Sequence, residues 1–328
     1  MADAAPRREP RGFWRIDAVE QGNSMNTTRI SALAMAASMA ALSASASAQD
    51  APAGNEVAEP AVEDGSPGFD LDDSVFDETW VTVGAGGVFS TSYSGSDDYQ
   101  FSPVPLVLGR VGGIGITPNA AGLSLDLLSE GPDGGPSGTS FSFGPTFRIR
   151  SDRTGSFEDE VVERAGELDT ALEVGAQAGV TIPQVLHQYD SLSFSAAARW
   201  DVLDAHNGMV VEPAVTYRTP LSRGAAVQLI ASASFVDDDF ADYYYSISPE
   251  QSAATGLAQY SAEGGLNSIG INAIGTIDLD NNLLNGGLAI FAIGGYSRLM
   301  GDAADTPFTS VRGSADQFVG GLGLGYTF

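Results

Sequence analysis

From Trp80 onward the chain repeats with a period of two. Phe141, Phe143, Pro145, Phe147 and Ile149 alternate with Ser142, Gly144, Thr146, Arg148 and Arg150. Leu192, Phe194, Ala196, Ala198 and Trp200 alternate with Ser191, Ser193, Ser195, Ala197 and Arg199, and Met209, Val211, Pro213, Val215 and Tyr217 with Val210, Glu212, Ala214, Thr216 and Arg218. Successive side chains of a strand point to opposite faces, so each segment reads as a strand with one greasy face and one small or polar face. The pattern runs to the last residue: Phe318, Leu322, Leu324, Tyr326 and Phe328 share one parity, Val319, Gly321, Gly323, Gly325 and Thr327 the other. Taken alone, that segment also suits an ordinary antiparallel strand on a soluble core.

Twelve strands are expected, near 80–90, 101–111, 113–118, 121–129, 140–150, 170–182, 189–200, 208–219, 225–236, 265–278, 286–299 and 316–328. The third is short for a bilayer crossing. The polar parity mixes charge, amide and hydroxyl with small residues, which suits a wet lumen, and several apolar faces end in an aromatic, at Trp200, Tyr217, Phe235, Tyr296 and Phe328. A sheet that rests in lipid cannot leave its edges unpaired, so it closes. The fold expected is all-β: a closed antiparallel transmembrane barrel of about twelve strands over 80–328. A soluble secreted barrel or sandwich would escape the need to close.

With the last strand running toward the periplasm, the outer segments are 91–100, the turn near Asn119, 151–169, 201–207, 237–264 and 300–315, and they include the three longest connections. The other end receives shorter turns such as Thr219 to Gly224 and Leu279 to Asn285, with 130–139 a longer one. Long outside and short inside is the asymmetry of outer-membrane barrels.

Ahead of the barrel, Met25 opens a secretory signal. Arg29 precedes an apolar run from Ile30 to Leu42, and Ala46-Ser47-Ala48 precedes Gln49, which places cleavage between Ala48 and Gln49. Residues 1–24 are charged and aperiodic and read as an extension ahead of the true start at Met25. Residues 49–79, rich in Ala, Pro, Gly, Asp and Glu, read as a disordered acidic periplasmic tail, with a short plug or partner-binding segment as the alternative.

Composition narrows the partners. All fifteen basic residues are Arg against 42 acidic ones, giving a net charge of -27, which argues against nucleic acid. With no Cys there are no disulfides or thiolate sites. The two histidines, His187 in an inner turn and His206 in an outer loop, fall at opposite ends of the barrel, so no His-based catalytic site is expected. No metal ligands or cofactor are assigned either: Asp97-Asp98 and Asp237-Asp238-Asp239 read as solvated loop charge, with a divalent-cation bridge to lipopolysaccharide phosphates as the alternative. Asp278 to Asn282 reads as a turn.

Arg148, Arg150, Arg199 and Arg218 lie on the polar parity with Glu173 and Glu212; Arg298 is a weaker candidate for the same set. They form either a lumen network that narrows a pore or selects its solute, or structural pairing that fills a narrow barrel. Tyr243, Tyr244 and Tyr245 head the longest loop as a ligand or partner patch, interfacial anchors, or packing of the loop onto the rim.

Several stretches carry a family resemblance: Tyr93-Ser94-Gly95-Ser96, the Pro103 to Pro105 region, Gly144-Pro145 leading to Arg148-Ile149-Arg150, and Gly256-Leu257-Ala258-Gln259-Tyr260. The most specific are ADYYYSIS from Ala241 and RLMGDAADTP from Arg298, and the chain closes on Gly325-Tyr326-Thr327-Phe328. On these the chain resembles the MipA/OmpV family of outer-membrane proteins, from about Val81 to Phe328. The residues read as a non-catalytic barrel in outer-membrane lipid and lipopolysaccharide, and the resemblance implies an outer-membrane barrel. It also implies scaffolding of murein remodelling, joining a lytic transglycosylase to a peptidoglycan synthase. Other members are associated with adhesion, osmotic response or small-molecule passage. The alternatives are a channel or uptake protein with an arginine-lined lumen and a surface adhesin acting through 237–264 and 300–315.

Overall fold

The structure, a computed structural model, describes residues 74–77, 79–128, 138–154 and 159–328. The expected extension, signal, Ala48–Gln49 cleavage site and most of the acidic tail lie outside the described residues. Twelve antiparallel strands close into one barrel. They are β1 (Trp80–Thr91), β2 (Tyr99–Val111), β3 (Ile114–Asn119), β4 (Gly122–Asp126), β5 (Ser140–Arg150) and β6 (Ala171–Pro183), followed by β7 (Ser191–Asp201), β8 (Met209–Ser222), β9 (Ala225–Val236), β10 (Gly265–Asp278), β11 (Gly287–Leu299) and β12 (Asp316–Thr327). Each pairs with its sequence neighbours, and β1 seals against β12 in register from Thr82↔Thr327 to Ser90↔Val319.

That seal is built from small residues. A Cβ added at Gly84 would lie 2.8 Å from the Gly325 Cα, and one at Gly86 would lie 2.9 Å from the Gly323 Cα, so the two backbones approach as only glycine allows. The Thr82 and Thr327 hydroxyls meet at 2.6 Å, buried. At the β2–β3 turn Gly112 and Gly113 both take positive φ, 60° and 82°, the two-residue hairpin that matches strand twist.

The apolar parity faces outward. Phe318, Leu322, Leu324, Tyr326 and Phe328 are all exposed, as are Phe141, Phe143 and Ile149 of β5. Exposed aromatics gather at both ends of the strands, Phe89, Phe101, Trp200, Phe235 and Phe318 at one and Tyr326 and Phe328 at the other, the two interfacial belts of a membrane barrel.

The interior differs from a uniformly wet lumen. On the β9–β11 side Ile230, Ile274, Ala289, Phe291 and Ile293 join Leu106 in an apolar cluster. At the end carrying both terminal strands, Val75–Asp77 forms a 3-10 turn; its Phe76 is buried against Trp80 and Leu108, and the Val75 amide donates to the Leu284 carbonyl at 3.1 Å. The packed unit therefore reaches into the stretch expected as tail, because Val75 and Phe76 have an apolar mouth to fill.

The opposite end is closed by helices that period-two reading treats as loops: α1 (Glu160–Glu163), α2 (Asp238–Tyr245), α3 (Pro249–Thr255), α4 (Gly301–Asp305) and α5 (Pro307–Ser310). Local chemistry starts them. Asp237 caps α2 by accepting from the Phe240 amide, and Ser248 and Gln251 form a reciprocal capping box on α3 with Pro249 at its first position. Phe240, Ala241, Tyr244 and Tyr245 pack with Val210, Leu299 and Ala303, and Tyr93, Val162, Ile247 and Phe308 form a second cluster beside them. Arg153, buried, donates to the Tyr244 carbonyl at 2.7 Å and lies 4.4 Å from the Phe308 ring centre.

Candidate functional site

Beneath this cap four adjacent strands bring charge together. Register places Arg148 of β5 opposite Glu173 of β6, Gly175 opposite Arg199 of β7, and Ala197 opposite Glu212 of β8. All of these charged side chains therefore share the inward parity. Glu173, with 0% exposure, is the hub: Arg150 Nε donates to it at 2.6 Å, while Arg199 Nε lies at 3.4 Å and Arg148 Nε at 3.6 Å. Arg148 Nη1 donates to both oxygens of Glu212, at 2.7 and 2.9 Å, and Arg199 also pairs with Glu212. Three guanidiniums thus face two carboxylates in a desolvated cross-section, an arrangement that holds only while each charge keeps its partners.

The sixth member is His206, which spacing alone leaves in an outer loop. Its loop folds back under α2, putting Nε2 3.5 Å from Glu173 Oε1 and the ring 4.9 Å from the Phe240 ring centre. Arg150 meets the same ring, its guanidinium carbon 4.8 Å from the centre. Phe240 therefore links the cap to the ion cluster, a role the sequence signals only through its place in the first turn after the Asp237 cap. His187 lies at the other end of the barrel, its Nε2 2.7 Å from the Thr219 hydroxyl oxygen.

Of the three readings of the tyrosines the geometry fits packing of the loop onto the rim: Tyr244 and Tyr245 are 3% and 4% exposed within the cap, and burial pushes both phenols above the usual tyrosine range. Tyr243 packs on their cluster and accepts from the Asp169 amide at 2.8 Å. Arg298 faces outward at the rim, bonded to Asp316 at 2.7 Å, because its parity matches that of Tyr296. Arg218 does face inward but stands apart from the cluster, with Gln228 Oε1 as its hydrogen-bond partner at 3.2 Å.

Outside the wall, Asp159 caps α1 and pairs with Arg312 at 2.9 Å. Burial alone would raise the Asp159 carboxyl, but Arg312 and the α1 amides hold it below the usual carboxylate range. Among the described residues, no group of three or more His, Asp or Glu is placed to hold a metal ion.

A closed sheet with a lipid-facing apolar belt, aromatic girdles and a polar, ion-paired interior defines an outer-membrane β-barrel. Residues 83–328 match the family described as MltA-interacting protein MipA, and the chain belongs to that family. It is 38% identical over 76 residues to YiaT of Escherichia coli (strain K12), whose name assigns it provisionally to the outer membrane, and equally to YiaT of E. coli O157:H7. That stretch covers 23% of this chain, and the chain spans about 30% of the length of these relatives. Among solved structures, an outer membrane channel from Pseudomonas putida F1 is similar at a TM-score of 0.40 and 15% identity, over 78% of this chain and 98% of that one.

Proposed function

We propose that this barrel is a non-catalytic scaffold that holds murein-remodelling enzymes, a lytic transglycosylase and a peptidoglycan synthase, at the periplasmic face of the outer membrane. The observation that carries the reading is the match to the MltA-interacting protein family over the barrel. The interior supports it. Arg148, Arg150, Arg199, Glu173 and Glu212 are ion-paired beneath a packed cap, and Phe76 occupies the other mouth. A barrel filled in this way works through its surfaces.

The conduit alternative asks those arginines to line an open bore, whereas they are paired with Glu173 and Glu212 across it, beneath the cap. The adhesin alternative would use 237–264 and 300–315, where Phe240, Ile247, Ala303 and Phe308 are committed to the cap's own packing. The end taken as periplasmic offers the short turns, and the described chain begins there at Ser74, after an acidic stretch of sequence. The test is an affinity column of refolded barrel run against envelope extract. A lytic transglycosylase should be retained, and removing 49–73 or exchanging the turns 219–224 and 279–285 should release it. Retention unchanged by both alterations, or no transglycosylase at all, refutes the proposal.

A further inference from the structure

The barrel wall is uneven. β1 pairs with β2 over twelve residues and β5 with β6 over eleven, yet β2 pairs with β3 over three and β4 with β5 over three. Extending the Gly109↔Ile116 register sets Asn119, the end of β3, level with Leu106. Tyr99–Pro105 of β2 therefore rise past the β3–β4 hairpin with no strand along that edge among the described residues. At about 3.3 Å per residue the free edge is about 20 Å long.

Three prolines account for the gap. Pro103 and Pro105 sit opposite Gly87 and Ala85 within an intact β1–β2 ladder, so this parity, which includes Val107 and Gly109, turns its backbone polar groups away from β1. A longer β3 would need donors at 105 and 103 and would place Pro118 opposite Val107, and none of the three prolines has an N–H. The same lack of donors blunts the edge against strand addition by another chain.

The gap has a frame. Below it is the 119–122 turn; beside it β5 ends with the Ile149 amide donating to the Ala121 carbonyl at 3.0 Å. Above it the Ser94 amide reaches the Asp152 carboxylate at 3.2 Å. Behind it lies the ion cluster. Arg148 and Arg150 stand on the bordering strand and keep 15% side-chain exposure, against 3% for Arg199 further round the wall. Arg148 is opposite Glu173, and Glu173 is opposite Asp201, next to Trp200 of the outer belt, so the cluster sits at the depth of the outer-leaflet interface. Within the paired cluster three guanidiniums meet two carboxylates, while the Asp152 carboxylate at the rim is engaged by the Ser94 amide.

We propose that this gap is a lateral binding site for the phosphate headgroup of an outer-leaflet lipid. The acyl chains stay in the bilayer against Phe101, Pro103 and Pro105, while the phosphate enters sideways to Arg148 and Arg150, whose planar forks match its oxygens. Depth, charge and the apolar rim select one ligand class, an anionic amphiphile that never leaves the membrane.

The experiment is native mass spectrometry of the refolded barrel in a non-ionic detergent with equal amounts of diphosphoryl lipid A and phosphatidylcholine. The wild-type barrel should retain lipid A at least about tenfold more than phosphatidylcholine. Retention should fall about tenfold in Arg148→Gln/Arg150→Gln, the loss expected of a charge-assisted contact. Because that variant disturbs the ion cluster, Ala121→Trp, which narrows the gap from the turn, serves as the second probe and should lose the lipid while remaining heat-modifiable and β-rich. Equal retention of the two lipids overturns the proposal, as does undiminished lipid A on folded Ala121→Trp. Displacement of lipid A by millimolar inorganic phosphate would mark a soluble-anion site and also overturns it.

Discussion

Replacing Glu173 by Gln tests whether the interior cluster is a structural keystone. The carboxylate is fully buried and serves Arg150 at 2.6 Å, Arg199 at 3.4 Å, Arg148 at 3.6 Å and His206 at 3.5 Å. Glutamine keeps one acceptor oxygen but turns an NH2 toward guanidiniums that can only donate. The cluster then changes from three positive and two negative charges to three and one. Breaking a buried pair in this way costs about 3–5 kcal/mol. Glu212, 26% exposed, can recruit water, so Glu212→Gln should cost about 1–2 kcal/mol. With an m-value of about 2 kcal/mol/M, the Glu173→Gln unfolding midpoint in urea should fall by about 1.5–2.5 M. The measurement is equilibrium unfolding in phospholipid vesicles followed by tryptophan emission and heat modifiability. A loss below about 1 kcal/mol, or a larger loss for Glu212→Gln than for Glu173→Gln, would refute the picture of a desolvated hub.

Other expectations follow from the cap and the seal. Planar-bilayer recordings of the wild type should be silent, whereas removal of 238–262, which takes Phe240 off the Arg150 guanidinium, should produce stepwise conductance; silence in a folded deletion variant would mean that the ion cluster alone blocks the bore. The phenols of Tyr93, Tyr244 and Tyr245 are raised, by burial first, so their folded state retains protons that the unfolded chain loses; that stabilisation is whole below about pH 10 and drains as pH rises above it. Hydrogen exchange should accordingly show the cap loosening in alkali before the strands, and uniform loosening would contradict the assignment. Gly84→Val places a branched side chain where the Gly325 Cα lies 2.8 Å from the first added carbon, and should abolish heat-modifiable barrel in refolding assays.

The strands were legible because lipid demands an apolar residue at every second position of one face, a rule blurred only where the interior is itself apolar, as at Ile274 and Phe291. Arg148, Arg150 and Arg199 could be set on the inner parity for the same reason. Their pairing could not. Arg148 and Glu212 are 64 residues apart, and their contact depends on the registers of three successive ladders, which no local pattern records. The cap helices were hidden differently. Asp237 before DDFADYYY and Ser248 before PEQ are ordinary helix starts, but α2 and α3 are only eight and seven residues long and lean on their surroundings, α2 on α4 and the rim and α3 on the Arg164–Ala165 segment. His206 shows the cost of reading a connection as solvent-facing: the loop's short return under α2 decides its surroundings, and the residue type does not. The shortness of β3 was visible in the sequence, while the framed gap it leaves required the register.

The union of β1 with β12 has a temporal consequence. Thr82 and Thr327 are separated by 245 positions, so the pair with the greatest loop to close is also the one that makes the sheet continuous. Until the final strand arrives, β1 presents an open row of donors and acceptors. The nascent protein must spend that interval shielded by something other than itself, and its insertion should be paced by delivery of its last dozen residues.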